Sequence, residues 1–302
     1  MAEIDPLGDV AVVIVTYASA GFIAETLESL PLEELAGTVV VDNASPDDTV
    51  AVVRNAVGDR VQLVESDRNG GFAFGCNLGA RSAPPSRWLL FLNPDARIAT
   101  DELRTLVQYA EAHPQVAVTA PRLTREGEPL HAASAFPSVF GEMRYFMPRA
   151  LARLFPERRL PPGEERGGEV DYVLGACFLV ERAAFETAGG LNERYFMFFE
   201  EADLAQRLRQ LGRTEALCVD AVAFHALGAT RVGDVVGLRD EYLRSVGLYF
   251  EQWHGRRAAF AFRAASSVVL TVLGLLPGRR VRNRILRRAL WTPSDRISNS
   301  AR

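Results

Sequence analysis

The sequence predicts an α/β protein built on a mostly parallel central sheet flanked by helices, and three observations carry that expectation. Short apolar runs alternate with helix-like stretches through the first 120 residues, the pattern of a sheet covered by helices. The runs are apolar along their whole length, as strands buried on both faces must be. Their polar residues fall at the C-terminal ends, the edge where open α/β sheets bind ligands.

Each element has its own signal. VAVVIVTY (10–17) reads as the first strand, followed by a helix near 21–30, and TVVVD (38–42) as the second strand. SPDDTVAVVRNAV begins with a Ser cap beside Pro, a helix start. VQLVES is a third strand, GFAFGCNLGARSA a helix, and WLLFLNPD (88–95) a fourth strand ending in a turn. Thr16, Asp42, Asn43 and Asp95 therefore gather at one edge of the sheet.

From 121 to 170 the pattern loosens into a Pro, Arg and Glu-rich stretch, read as a mobile insertion over the site. YVLGACFLVER then reads as a strand, 182–188 as a helix and GGLNE as a turn. EEADLAQRLRQLG is an amphipathic helix with Leu204, Leu208 and Leu211 on one face and Gly212 as its stop. EALCVD and VAFH supply two more strands, ending at His225. The expected organisation is a catalytic domain over 1–232 and a basic, helical C-terminal extension over 233–302.

With 48% hydrophobic and 24% charged residues in 302, the chain has enough apolar material for a folded core and no low-complexity segment. Cys76, Cys177 and Cys218 are far apart and form no CxxC or Cys/His cluster, so they read as reduced core residues of a cytoplasmic protein. The N-terminus is acidic before a short apolar run, unlike a secretion signal. Residues 256–302 carry a formal charge of +10 against −14 for the rest. A basic segment on an acidic body attracts nucleic acid or an anionic membrane. Here the arginines flank an apolar stretch too interrupted to span a bilayer, so the expectation is a peripheral contact at the inner face of the membrane and no nucleic acid. The competing reading is a helix packed on the body with a solvated basic face.

No Gly-x4-Gly-Lys-Ser/Thr phosphate loop and no Gly-x-Gly-x-x-Gly fingerprint occurs, which counts against a P-loop ATPase and a dinucleotide enzyme. NGGFAFG (69–75) is either a tight turn or a place where backbone amides approach a ligand closely. Asp95 in LNPDA is either an Asx-Pro turn or a carboxylate for a hard divalent cation, with Asn93 supplying neutral oxygen. His225 is either a strand-end core residue or an imidazole ligand to the same metal, which requires the two to meet in space. YFMFFEEADL (195–204) sets aromatics against Glu200, Glu201 and Asp203. Acids in the first turn favour the helix dipole, and an aromatic wall that excludes water would raise the pKa of one of them toward that of a general base.

Taken together, VVIVTYASAGFIAETLESL, VVVDNASPDDT, NGGFAFGCNLGA, WLLFLNPDA, VLGACFLVERAAFETAGGLNERYFMFFEEADLAQRLRQLG and FHALGATR resemble the family 2 glycosyltransferases, in the family's order over 10–230. Within the family the chain resembles the bacterial rhamnosyltransferase-like branch. The resemblance implies a GT-A, Rossmann-like fold, a nucleotide-sugar donor (a dTDP- or UDP-sugar), a divalent metal (Mg or Mn) and inversion at the anomeric carbon. It implies that Thr16, Tyr17, Asp42 and Asn43 line the nucleoside pocket, that Gly71 and Asn77 contact the donor, and that Asn93 stands where the family often has an Asp. It implies metal ligation by Asp95 and His225 and a catalytic base at Glu201 or its neighbour Glu200. Asp203 would orient the acceptor, a glycan or lipid-linked sugar, or the helix itself. A sugar nucleotidyltransferase would need a basic triphosphate loop after the first strand, which TYASAGFIAE lacks. A non-catalytic nucleotide-sugar-binding protein would have no use for the whole acidic and histidine set.

Overall fold

The computed structural model describes residues 5–144, 167–227, 235–274 and 290–291. Chain contacts divide the protein into two compact units. The first comprises Met1–Ala135, Arg159–Asn192 and Glu201–Val232, and the second Phe136–Arg158, Glu193–Glu200 and Gly233–Arg302.

The first unit is organised on β1 (Val10–Thr16), whose seven residues are all buried. Its Val/Ile run has no polar side chain before Thr16, so it is stable only with partners on both edges and cover on both faces. It pairs in parallel with β2 (Gly37–Asp42) and β4 (Trp88–Leu92), and β3 (Gln62–Glu65) extends the sheet beyond β2. On the other side β11 (Cys177–Glu181) runs antiparallel between β4 and β6 (Val116–Arg125). β12 (Thr214–His225) is parallel to β6, and β5 (Ala96–Ile98) closes the edge. The order is β3-β2-β1-β4-β11-β6-β12-β5. Phe91 of β4 stacks on Phe178 of β11 at 5.0 Å and lies 5.2 Å from Phe185.

Helices α1 (Ile23–Glu28), α2 (Thr49–Val57), α3 (Phe72–Ser82) and α4 (Thr100–Ala112) connect these strands. α3 lies unusually close to β1. A Cβ at Gly75 would sit 2.5 Å from Val15 Cγ1, and one at Gly79 would overlap the Val13 side chain. The i, i+4 glycine spacing in FAFGCNLGA thus serves helix–strand packing.

Three stretches differ from the sequence expectation. EALCVD and VAFH form one strand, β12, with a register shift between Cys218 and Val222. YVLGACFLVER divides into β10 (Tyr172–Val173), paired with β8 (Ala133–Ser134), and β11, with Gly175 between them. The region read as an insertion, 121–170, carries strands and a short helix among its described residues. β6 runs to Arg125, β7 (Glu128–Leu130) turns back on it, and β9 (Gly168–Val170) pairs with β12. The turn is Glu126-Gly127 with φ of 51° and 84°, a hairpin with both residues left-handed. Its usual marker is Asn-Gly or Asp-Gly, so Glu-Gly hid it. Residues 145–166 of the expected insertion lie outside the described residues.

The short helices α5 (Val139–Met143) and α6 (Arg182–Thr187) and the longer α7 (Glu200–Gln210) precede the last one, α8 (Val235–Gly274). α8 is broken at Gly255, which has φ 84° and ψ 166°, a left-handed conformation that glycine adopts without a Cβ clash. Within the second unit, Phe198 and Phe199 pack on Tyr242 of α8 at 5.7 and 5.2 Å. Phe199 also meets Tyr249, Ser245 Oγ donates to the Met197 carbonyl at 2.7 Å, and Tyr242 donates its hydroxyl to Glu142. Among the described residues no helix is long and apolar enough to cross a membrane.

Candidate active site

The C-terminal edge of β1 and β2 holds the expected nucleoside residues in two ranks. Thr16 is fully buried and donates to Asp42 Oδ1 at 2.9 Å. Asp42 also accepts from the Ser45 amide at 2.9 Å and the Ser45 hydroxyl at 2.5 Å, so its carboxylate is held rigid. Asn43 donates to the Gly71 carbonyl at 2.9 Å, tying the end of β2 to the turn that opens α3. Gly71 has φ 88° and its own N–H donates to Asn69 Oδ1 at 3.0 Å. Tyr17, next to Thr16, presents an exposed ring. Thr16 and Asn43 are thus supports for Asp42 and Gly71, while Tyr17 is the open aromatic surface.

Asn77, expected to contact the donor, bonds to the protein backbone. Its Nδ2 donates to the Leu191 carbonyl at 2.8 Å and its Oδ1 accepts from the Leu191 N–H at 2.9 Å. Both ends of the amide are committed to one backbone residue, so Asn77 staples α3 to the loop after α6.

Asp95 and His225, far apart in sequence, meet. β5 pairs antiparallel with the end of β12, setting His225 opposite Ala96, and the Ala226 N–H donates to the Asp95 carbonyl at 3.0 Å. His225 Nε2 lies 3.3 Å from Asp95 Oδ1, with both side chains largely buried. Asn93 acts through its backbone: its N–H donates to the Ala176 carbonyl and its carbonyl accepts from Ala96 at 3.0 Å. Thr26 Oγ1 holds the intervening Pro94 carbonyl at 2.8 Å. The turn that presents Asp95 is therefore fixed from three sides.

Of the two glutamates that open α7, Glu200 is buried and belongs to the second unit, whereas Glu201 belongs to the first. Phe198 and Phe199, immediately before them, have φ of 72° and 71°. Two consecutive phenylalanines in the left-handed region constitute real backbone strain, of the kind concentrated at functional sites. Their rings are taken up by Tyr242 and Tyr249, so the expected aromatic wall has its partners inside the second unit. Glu201 Oε1 instead accepts from the Gly175 N–H at 2.9 Å. A Cβ at position 175 would overlap that oxygen, so glycine is what lets the backbone come close enough. Burial raises the Glu201 carboxyl above the usual carboxylate range, and the Gly175 amide opposes that rise.

Asp203 is held by its own helix. Its side chain is wholly buried and pairs with Arg207 Nε at 2.8 Å. Arg207 also donates to the carbonyls of Gly190, at 2.7 Å, and Ala188. Through Arg207, Asp203 ties α7 to the loop after α6.

Sequence reading missed Glu215, near the start of β12. It is 3% exposed and its Oε2 accepts from the Val173 N–H at 2.8 Å. Burial, with a further push from the charge of Glu201, raises its pKa to about 8. The available signal was period-2 alternation, which sets Glu215 on the same face as the buried Leu217.

A family model described as "Glycosyl transferase family 2" matches residues 11–187, and the chain belongs to that family. It is 29% identical over 235 residues to the N-acetylglucosaminyl-diphospho-decaprenol L-rhamnosyltransferase of Mycobacterium tuberculosis, covering 71% of this chain and 75% of that protein. It is likewise 29% identical over 233 residues to the low-salt glycan biosynthesis hexosyltransferase of Haloferax volcanii, covering 74% and 70%. A mannosyltransferase from Pyrobaculum calidifontis, solved in complex with GDP-Man and Mn2+, superimposes with a TM-score of 0.55 at 18% identity, over 93% of this chain and 84% of that one. At that identity the likeness establishes the fold, which is GT-A. The protein is a glycosyltransferase.

Proposed function

We propose that this protein is an inverting, metal-dependent glycosyltransferase that moves L-rhamnose from dTDP-rhamnose to a hydroxyl of a glycan or lipid-linked acceptor in cell-surface polysaccharide synthesis. The observation that carries the reading is the meeting of Asp95 and His225 at 3.3 Å on the sheet edge that also holds Asp42. The rhamnosyltransferase among its relatives supports the choice of sugar.

The residues fit a hard divalent cation. Carboxylate oxygen and imidazole nitrogen both suit Mn2+, and ligands about 2.1 Å from one cation stand about 3 Å apart. Among the described residues no third His, Cys, Asp or Glu joins them. That suits a cation that completes its shell with water and the phosphates of a substrate. Asp95 and His225 would hold it, and when bound it supplies positive charge against the departing nucleoside diphosphate.

The rest of the chemistry belongs to the chain. Tyr17 offers a face for the base, and Asp42, locked by Thr16 and Ser45, offers carboxylate oxygen at the floor of the nucleoside pocket. Glu201, fixed by Gly175, takes the proton of the acceptor hydroxyl. The acceptor oxygen forms its bond to the anomeric carbon from one face as the bond to the diphosphate oxygen breaks on the other, leaving dTDP and an inverted glycoside. General-base action of this kind contributes about 100- to 10,000-fold. Glu200, buried beside the strained Phe198-Phe199 pair, sets the entry of α7.

A lipid-linked acceptor is supported by the end of the chain. Beyond Gly255, Phe260, Val268 and Val272 would share one helix face; all three are exposed, as is Trp291.

 Arg256 and Arg257 are exposed at the start of the same helical segment, within the strongly basic end of the sequence. An apolar face flanked by arginines suits the cytoplasmic surface of an anionic membrane, where a lipid-linked acceptor would be met. The test is a binding and transfer screen of dTDP-rhamnose and UDP-sugars, with and without Mn2+ or Mg2+. The reading expects dTDP-rhamnose to bind best and only with metal present. Preference for a UDP-sugar would overturn the choice of donor and leave the glycosyltransferase assignment standing.

A further inference from the structure

Val173 ends β10, and Leu174 and Gly175 lead from it into the turn before β11; the three amides find three different partners. The Leu174 N–H donates to the Ala132 carbonyl at 2.8 Å. The amides on either side of it are taken by carboxylates: Val173 N–H by Glu215 at 2.8 Å and Gly175 N–H by Glu201 at 2.9 Å. Amides two residues apart are separated by at most about 7 Å whatever the conformation of the chain. Glu201, from the start of α7, and Glu215, from the start of β12, therefore approach each other across three residues of chain, close enough for the charge of Glu201 to bear on Glu215.

Two carboxylates this close, with little water between them, cannot both ionise cheaply, and such pairs titrate together. The fold also decides between them. Burial raises both carboxyls, but Glu201 keeps part of its surface exposed and stands in the first turn of α7, where the helix dipole favours a negative charge. Glu215 is almost wholly buried in a strand, with the apolar Val118 and Val170 opposite it in register. The other charged groups around it are engaged elsewhere. Arg209 of α7 pairs with Asp171 at 3.6 Å, and Arg213 pairs with Glu181. Glu169 of β9 accepts from Thr214 Oγ1 at 3.3 Å.

We propose that Glu215 is a positioning residue for Glu201: the two carboxyl groups grip alternate amides of one segment and hold a single proton, which Glu215 keeps, so that the charge stays on Glu201. The inference rests on Glu201 being the base. Its consequence is an alkaline limit to activity. When Glu215 also ionises, near its raised pKa of about 8, two like charges repel across the segment that holds the base, and its grip loosens.

The experiment is a pH profile of kcat from 6 to 9.5 for the wild type, Glu215→Gln and Glu201→Gln, with proper folding checked by circular dichroism. Glu215→Gln reproduces the neutral, hydrogen-bonding form, so it is expected to match the wild type within about twofold at pH 7 and to lack the tenfold fall above pH 8. Glu201→Gln is expected to be inactive throughout. An alkaline fall that persists in Glu215→Gln, or loss of activity at pH 7 as deep as that of Glu201→Gln, would overturn the proposal. If Glu201→Gln is active, the base assignment fails by itself. Carboxyl-carbon NMR of the wild type and Glu201→Gln provides a readout independent of turnover. A Glu215 resonance that titrates near pH 8 and moves lower in Glu201→Gln supports the shared proton, and one that titrates unchanged in both sinks it.

Discussion

Replacing Asp203 by Asn separates a structural carboxylate from one that meets an acceptor. The Asp203 side chain is wholly buried, and that of Arg207 is 20% exposed, with Nε 2.8 Å from Asp203 Oδ2. Removing one partner of a buried ion pair costs about 3–5 kcal/mol, because the other charge stays behind without compensation. Two features reduce that here: Asn keeps an oxygen acceptor of the same shape, and water reaches part of the guanidinium, which still holds the Ala188 and Gly190 carbonyls. A loss of about 2–3 kcal/mol is expected. With a urea dependence of roughly 2–3 kcal/mol per molar, the unfolding midpoint of the transition followed by circular dichroism should fall by about 1 M. Below that transition the acceptor KM should be unchanged. A midpoint shift under about 0.2 M together with a large rise in acceptor KM would refute the reasoning and return Asp203 to the acceptor side.

Other perturbations follow from the same geometry. Gly175→Ala places a methyl against Glu201 Oε1 and should lower kcat by at least about tenfold, the scale of a misplaced base, while the unfolding midpoint moves little; normal kcat would mean that Glu201 can reach its position another way. Gly79→Ala drives a methyl into Val13 and should destabilise by about 1–3 kcal/mol, the usual cost of overpacking, measured by urea titration. Asp95→Ala and His225→Ala should each weaken Mn2+ binding by at least about tenfold, followed by electron paramagnetic resonance of free Mn2+ in the presence of dTDP. Glu215 also makes stability depend on pH. Its folded pKa is raised from 4.5 to about 8, so the unfolded chain gives up the proton first. The contribution is fully present below about pH 4.5 and lost as the pH rises to 8, an upper bound of about 5 kcal/mol at 1.36 kcal/mol per unit. Glu215→Gln should flatten that slope in urea titrations at pH 5, 6.5 and 8, and an unchanged slope would count against a proton held there.

The parallel half of the sheet was legible because β1, β2 and β4 are continuous apolar runs, a pattern that only burial on both faces explains. The antiparallel half was harder to read. β11 lies between β4 and β6, a placement set by long-range pairing that no local pattern encodes. The Glu126-Gly127 hairpin uses a residue that rarely marks such a turn, and the bulge in β12 made one strand look like two. At the site, Asp95 and His225 could be named from sequence, but their meeting depends on the β5–β12 register. Asn77 and Asp203 show the opposite limit. A polar residue in a motif reads the same from sequence whether it faces a ligand or staples a loop. The bonds of Asn77 to Leu191, and of Asp203 through Arg207 to the loop after α6, join parts of the chain that no local pattern brings together. Glu215 lay in plain view as an acid on the buried face of a strand, and its importance emerged only when the Val173–Gly175 segment placed it near Glu201.

The most direct test of the central claim is single-turnover transfer from dTDP-rhamnose by Glu201→Gln, with dTDP-rhamnose affinity measured on the same sample in Mn2+. The account predicts that transfer falls by at least about 100-fold while the dissociation constant of the donor stays within about threefold of the wild type. Transfer at a near-normal rate, or a donor affinity that collapses together with it, would contradict the assignment of Glu201 as the base.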